Sequence, residues 1–145
     1  MLTLVCSFVP RVRELAVIRA VLRPYLESLG VSPVGCDDLV LVATELATNA
    51  IEAGSARGEI KLRVGIERGA VMMELDDDGA GFELPSDEAS PSAAQDRGRG
   101  LWLVRNLTND LSVTRRRGRT VVRAVRRLDG KARTLSASRG APGGR

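Results

Sequence analysis

At 145 residues, 43% hydrophobic but only 3% aromatic, the chain suits one globular domain with a core of aliphatic side chains. It carries 22 Lys and Arg against 18 Asp and Glu and has no histidine, which excludes the Ser-His-Asp and Cys-His nucleophile schemes, a histidine phosphoacceptor and most zinc sites. Any proton transfer must then use a carboxylate, and any metal must be a hard cation held by oxygen.

Leu2, Leu4, Cys6 and Phe8 alternate with Thr3, Val5 and Ser7, which predicts an opening strand and does not read as a signal peptide. No apolar run approaches the ~20 residues needed to span a bilayer. A cytoplasmic protein without membrane contact is therefore expected. Pro10 suits the first turn of a helix over residues 11–29, whose stripe is Val12, Leu15, Ala16, Leu22, Leu26 and Leu29. Pro24 should kink it and Gly30 end it. Cys6 and Cys36, far apart among apolar neighbours, read as thiols of a reducing compartment.

Ser32 and Pro33 mark a helix start as N-cap and first helical residue, with Asp37 and Asp38 early enough to suit the dipole. The helix runs on to Gly54. Leu39, Val42, Ala43, Leu46, Ala50 and Ala53 recur at the three- and four-residue spacing of a core-facing stripe. Glu45 and Asn49 break that stripe. Standing four apart, they lie one above the other on a single face, a carboxylate next to a carboxamide. Asn competes with the backbone for hydrogen bonds, so its place in mid-helix asks for a reason. Solvent exposure is one, a ligand another.

Ile60, Leu62, Val64 and Ile66 alternate with Glu59, Lys61, Arg63 and Gly65, and Val71, Met73 and Leu75 continue after an Arg68-Gly69 turn, which predicts a hairpin. The second strand runs into Asp76-Asp77-Asp78-Gly79-Ala80-Gly81-Phe82. Residues 83–97 have no periodicity and read as a long loop, the kind that serves as a lid or stays disordered. Gly98-Arg99-Gly100 then opens a helix with Leu101, Val104 and Leu107 on one side. Two strands, over 111–116 and 120–126, close the pattern around an Arg117-Gly118-Arg119 turn, with the Arg115 to Arg119 run read as a solvated hairpin tip and the buried face of the last strand left open. The arginines there carry no interleaved aromatic and no helix-turn-helix or zinc-finger pattern, so direct nucleic-acid binding is not expected. Residues 1–127 are thus read as one domain and 128–145, rich in Gly, Ser, Ala and Arg, as a disordered tail. The order β-α-α-β-β-loop-α-β-β implies an α+β two-layer sandwich, with helices on one face of a mixed, mostly antiparallel sheet. It does not read as a doubly wound nucleotide fold.

The two glycine-rich breaks bracket the loop, and the second opens a helix, where backbone amides favour a phosphate. Asp76 and Asp78 read as turn residues flanking Asp77, and Phe82 and Trp102 as core. A calcium loop starting at Glu74 would need a bidentate Glu at its twelfth position, which is Pro85. No G-x-x-x-x-G-K-[ST] loop and no protein-kinase signature set is present.

Taken together, these residues resemble the GHKL (Bergerat-fold) ATPases, and within them the small bacterial anti-sigma-factor serine/threonine kinases. Glu45-Leu-Ala-Thr-Asn49-Ala50 is similar to the N box, Asp77-x-Gly79-x-Gly81 to the G1 box and Gly98-x-Gly100-Leu101 to the G2 box, while Gly118-Arg119-Thr120 resembles a short segment near the end of the sheet. The resemblance covers the chain from Leu2 to about Arg126. It implies that Asn49 helps hold Mg²⁺ bridging the ATP phosphates and that Glu45 is the catalytic carboxylate. Asp77 would accept from the adenine amino group, with Gly79 and Gly81 letting the chain pass close to the base. Gly98 and Gly100 would hinge the lid and offer amides to phosphate, with Leu101 beside them and Arg97 or Arg99 near the γ-phosphate. Thr120 would line the pocket. Where the family often has His, four residues beyond the Asn, this chain has Ala53.

The function so implied is transfer of the ATP γ-phosphate to a serine or threonine of an anti-anti-sigma (STAS-type) partner, with sequestration of a sigma factor when that partner is absent. Relatives of this type often form homodimers. The Ala53 departure points to an alternative, a non-catalytic binding or adaptor module of the same fold. A histidine-kinase fragment is disfavoured because the chain has no phosphoacceptor histidine and no dimerisation helix pair.

Overall fold

The computed structural model describes residues 3–53, 58–78 and 96–128, with the backbone alone at 96–99. These residues form, in order, β1 (Thr3–Phe8), α1 (Glu14–Ser28), α2 (Pro33–Glu52), β2 (Ile60–Glu67), β3 (Ala70–Asp77), α3 (Asp96–Leu107), β4 (Asp110–Arg116) and β5 (Arg119–Arg127). The strands make one sheet in the order β1-β2-β3-β5-β4. The fold is α+β, as the element order implies, and where the sequence allowed a mixed sheet every described pairing is antiparallel.

Local chemistry accounts for the hairpins and the caps. Glu67 lies opposite Ala70 and Arg116 opposite Arg119, so both hairpins close through two residues. Arg68-Gly69 and Arg117-Gly118 all take positive φ, the type I′ geometry whose twist matches that of the flanking strands. The first helix starts later than the sequence suggested, because residues 11–13 wind through single turns, with the Glu14 amide donating to the Arg11 carbonyl at 2.9 Å. At its other end Gly30 takes φ +81 while the amides of Gly30 and Val31 reach the carbonyls of Glu27 and Leu26, a Schellman closure. Pro24 lies inside α1, whose span continues past it. Ser32 caps α2, its hydroxyl accepting from the Gly35 amide at 3.1 Å.

The inner face of the sheet is built in rungs. Leu4, Val64, Met73, Ala124 and Leu111 lie side by side across the five strands, and Cys6, Leu62, Leu75, Val122 and Val113 form the next rung. This resolves the face of β5: Thr120, Val122 and Ala124 point inward. Helix α2 lies over the sheet between α1 and α3, in contact with both and with β3. Its buried residues include Leu39, Val42, Ala43, Leu46 and Ala50, the stripe read from the sequence, whereas Ala53 caps the helix and is only half-buried. Burying one Leu of this kind contributes roughly 1.5–3 kcal/mol. Charges tie the layers together. Arg126 pairs with Asp38 at 2.8 Å and donates to the Leu107 carbonyl, and Arg23 on α1 pairs with Asp37 on α2. Much of the arginine-rich strand β5 is thus engaged internally. Among the described residues no helix is long and apolar enough to cross a membrane.

Candidate functional site

At the end of the inner sheet face the rungs turn polar. Asp77 on β3 faces Thr120 on β5, and Thr120 faces Arg115 on β4. Asp77 is 2% exposed and Thr120 fully buried. A buried carboxylate beside a buried hydroxyl runs against the aliphatic pattern of the two preceding rungs, and burial of this kind needs partners. Arg115 Nη1 donates to Thr120 Oγ1 at 3.1 Å. The sequence treated Arg115 as part of a solvated tip. That holds for Arg116 and Arg117, whereas Arg115 reaches inward and Arg119 pairs with Asp76 at 2.7 Å. Asp76 is correspondingly a strand residue on the opposite face from Asp77, not a turn residue. Asp78 lies against Gly58, where a Cβ would come within 2.7 Å of its Oδ2.

The second half of the site is the polar face of α2. Glu45, Asn49 and Glu52 follow one another at i, i+4 and i+7. Asn49 is 8% exposed, and its Nδ2 has no hydrogen-bond partner among the described residues. Asn49 is therefore buried rather than solvent-exposed, and an amide group left unpaired in that state costs about 1–3 kcal/mol. Burial pushes the Glu45 carboxyl above the ordinary carboxylate range, and the charge of Glu52 adds to the shift. Thr44 and Thr48 turn their hydroxyls back onto the carbonyls of Val40 and Thr44.

Helix α3 supplies the opposite wall. A Cβ on Gly100 would run into Glu45 Oε2, so the absence of a side chain is what lets α3 lie against that carboxylate. The helix starts at Asp96, two residues before the glycine pair. Gly98 therefore falls in the first turn, where amides lack helical partners, and Gly100 falls beyond it. Leu101 is 5% exposed and belongs to the core beneath the site. Gly79, Gly81 and Phe82 lie outside the described residues, as do the side chains of Arg97 and Arg99. Trp102 is half-buried.

The structure thus joins Glu45 to Gly100 and Asp77 to Thr120. It also brings in two residues that the sequence reading passed over, Glu52 and Arg115. The first was legible as the next member of the Glu45-Asn49 spacing. The second needed the β4–β5 register, since nothing in a run of three arginines says which one turns inward.

Among the described residues no group of three or more Cys, Asp or Glu could hold a metal ion. The donor set still fits Mg²⁺, which keeps several waters and is commonly held by one or two protein oxygens plus substrate phosphates. Asn49 Oδ1 would be the protein oxygen for it, while the unpaired Nδ2, a donor, would suit a phosphate oxygen and not the cation.

The family model described as the histidine kinase-like ATPase domain matches residues 8–126. The chain belongs to this family. Two solved structures share its fold. The RsbU and RsbW domains of Rv1364c from Mycobacterium tuberculosis superpose with a TM-score of 0.68 at 20% identity, over 88% of this chain and 33% of that one. The SiaB-SiaC complex from Pseudomonas aeruginosa gives 0.66 at 18% identity, over 84% of this chain and 88% of that one. The chain therefore spans about a third of the solved Mycobacterium chain. The comparison with curated proteins finds no match. Membership in an ATPase family implies nucleotide binding, in line with the resemblance read from the boxes.

Proposed function

We propose that this protein is an ATP-dependent serine/threonine kinase of the anti-sigma-factor type, acting in the cytoplasm on an anti-anti-sigma (STAS-type) partner and sequestering a sigma factor when free of it. The observation that carries the reading is the face of α2, where an unpartnered buried carboxamide and a carboxylate with a raised pKa stand one turn apart beneath Gly100. Asp77 and Thr120 form the base end of the pocket, and Gly79 and Gly81 would let the chain pass the adenine. Gly98 and Gly100 flank the phosphates, with Arg97 or Arg99 supplying positive charge.

In the reaction the partner's hydroxyl oxygen forms a bond to the γ-phosphorus while the bond to the bridging oxygen of ADP breaks. The hydroxyl proton passes to Glu45. With no histidine in the chain, Glu45 is the base that the site offers, and its raised pKa makes it a stronger one at neutral pH than an exposed carboxylate. Mg²⁺, when bound, supplies charge neutralisation between the phosphates. Asn49 would hold it, and the residues of α2 and α3 would position the phosphates for transfer.

The family membership and a fold neighbour solved as a two-protein complex support a protein substrate. Mixing the protein with Mg-ATP and a STAS-type partner is expected to give phosphotransfer. Glu45→Ala should lower it by ~10²- to 10⁴-fold, the usual worth of a general base. Transfer retained in that variant would remove Glu45 from the mechanism.

One observation favours a second reading. Ala53 stands where relatives often carry His, so a non-catalytic adaptor of the same fold, which binds ATP structurally or not at all, is the alternative. Calorimetric titration that detects no ATP binding would select it.

A further inference from the structure

The helices pack on the inner face of the sheet, and the alternate burial of β3 leaves Ala70, Met72, Glu74 and Asp76 on an outer face that no described element covers. At the end away from Asp77, Glu67, Ala70 and Arg127 lie side by side across β2, β3 and β5, with Met72 opposite Val125 in the next rung of that face. Gly69 and Ala70 offer almost no side chain there, and the surface sinks into an open hollow of about 560 Å³ lined by Met72, Val125 and Leu128. Its charged lining is Arg68, Arg123, Arg127 and one carboxylate, Glu67. The Leu128 amide donates to the Gly69 carbonyl at 3.0 Å, which ties the end of β5 to the β2–β3 turn and sets Arg127 and Arg68 at the same end. Arg123 Nη2 donates weakly to Met72 Sδ at 3.6 Å, so this guanidinium lies along the apolar lining. Arg115, Arg119 and Arg126 each find an oxygen within the fold. Among the described residues, Arg68, Arg123 and Arg127 pair with no carboxylate, not even Arg123 with its register neighbour Glu74.

We propose that this hollow is a docking site for an acidic segment of a partner protein, which sets an apolar side chain against Met72 and Val125 and its carboxylates on Arg68, Arg123 and Arg127. A guanidinium presents its donors in a planar fork that matches a carboxylate, and arginine and methionine are the residue types that interfaces favour over the rest of a surface. The sequence after Leu128 adds to the positive charge at this edge, with Lys131, Arg133, Arg139 and Arg145 against Asp129. Charge complementarity therefore selects an acidic occupant. A second copy of the chain does not fit, because two such hollows placed face to face bring arginine against arginine. A nucleic acid fits less well than a protein, since the described lining has no aromatic ring to stack a base and its apolar part gives nothing to a phosphodiester. The hollow lies on the opposite face of the sheet from α2, so a partner held there leaves the Glu45-Asn49 face open, and its binding needs no nucleotide.

The test uses the full chain without nucleotide and a fluorescent peptide, Glu-Glu-Leu-Glu-Glu-Leu, read by anisotropy, with amide shifts by NMR to locate it. Saturable binding that weakens as salt is added is expected, with the largest shifts at residues 67–72 and 123–128. R123Q/R127Q should weaken it about 5- to 10-fold, the worth of two partly exposed ion pairs. R116Q/R117Q removes the same charge from the other hairpin tip and should leave binding within about two-fold. A peptide with Ser in place of Leu should bind about 10-fold more weakly, because the apolar lining is then left uncovered. The amide map is taken on wild type, so the site is tested even where a variant folds poorly. Several results overturn the inference. No binding removes the site, equal loss in the two double variants reduces it to diffuse attraction, and an equally tight Ser peptide leaves the hollow without a part. An oligothymidylate that binds more tightly than the peptide and is lost in R123Q/R127Q makes the surface one for nucleic acid, and a dimer of wild type that R123Q/R127Q disperses makes it one for a second copy. None of these readouts involves ATP, so their failure is distinct from a failure of the kinase reading.

Discussion

Asn49→Ala should stabilise the nucleotide-free protein, the opposite of what a substitution at a buried helix position normally does. The Asn49 side chain is 8% exposed and Nδ2 has no hydrogen-bond partner among the described residues. Leaving an amide group in that state costs about 1–3 kcal/mol, and replacing Asn by Ala in a helix interior gains about 0.5 kcal/mol more. Against this stands the lost packing of three heavy atoms, about 1 kcal/mol. The net is a gain of roughly 1 kcal/mol, or about 3 °C in unfolding midpoint for a domain of this size. Addition of Mg-ATP should reverse the order. A ligand at a hundred times its Kd stabilises wild type by about 2.7 kcal/mol, and the variant, lacking the metal-holding oxygen, should gain little. Thermal unfolding with and without Mg-ATP therefore gives two melting curves that cross in rank. A variant that melts lower than wild type without nucleotide, or that gains as much from Mg-ATP, would refute the reasoning, because it would mean that Asn49 is satisfied by the fold and holds no ligand.

Gly100→Ala should separate activity from stability in a different way: the methyl meets only the flexible end of Glu45 and Ala is worth about 1 kcal/mol in a helix, so the unfolding midpoint should stay within a few degrees while phosphotransfer falls ~10²-fold or more. Unchanged transfer would show that the Glu45 carboxylate can move without consequence. The raised pKa of Glu45 gives a pH dependence whose sign is fixed. The native state binds this proton more tightly than the unfolded chain does, so the contribution of Glu45 to stability falls as pH rises from the ordinary carboxylate range through the raised value. Glu45→Gln should accordingly melt above wild type at neutral pH and match it once the pH drops below that range. The alkaline-rising limb of phosphotransfer in wild type should lie above that of an ordinary carboxylate, and a limb at the ordinary position would detach the rate from Glu45. Finally, Ala53→His should change phosphotransfer by less than ten-fold in a quantitative transfer assay; a larger rise would show that the missing imidazole limits the reaction and would favour the adaptor reading.

Much of the fold was legible because its signals are local. Strict alternation over Ile60, Leu62, Val64 and Ile66, the Arg-Gly turns and the Ser32-Pro33 start each specify a short piece of backbone through contacts a few residues apart, and each stands in the structure where the letters put it. The inner face of β5 was not legible, since Val121, Val122 and Val125 give both faces apolar residues, and only pairing with β3 and β4 selects Thr120, Val122 and Ala124. The site divides in the same manner. Glu45 and Asn49 share one helix, so their juxtaposition follows from helical period alone. Asp77, Thr120 and Arg115 come from three strands, and their meeting depends on register, which no local pattern reports. The start of α3 at Asp96 escaped for a related reason: glycines at 98 and 100 argue against a helix by propensity, and packing of α3 on α2 against Glu45 overrides that preference.

The position that separates a kinase from an adaptor can now be weighed on geometry. Ala53 caps α2, and its amide donates to the carbonyl of Asn49 at 2.9 Å. This bond uses the backbone alone, so the last turn of the helix closes onto Asn49 whatever side chain stands at 53. Leu46 and Ala50, near Asn49 along the helix, lie in the core, and Glu45 lies against Gly100 on α3. None of these supports passes through residue 53. A side chain at 53 stands four residues beyond Asn49, on the same helix face as Glu45 and Asn49, so an imidazole there could reach the Asn49 side chain. The orphaned amide of Asn49 adds a second argument. A fold that had ceased to bind Mg-ATP would gain stability from almost any apolar replacement at that position, and the costly residue is still in place. Residue 53 thus shares its helix face with Asn49, and the Ala53→His variant is the test of whether an imidazole there changes transfer.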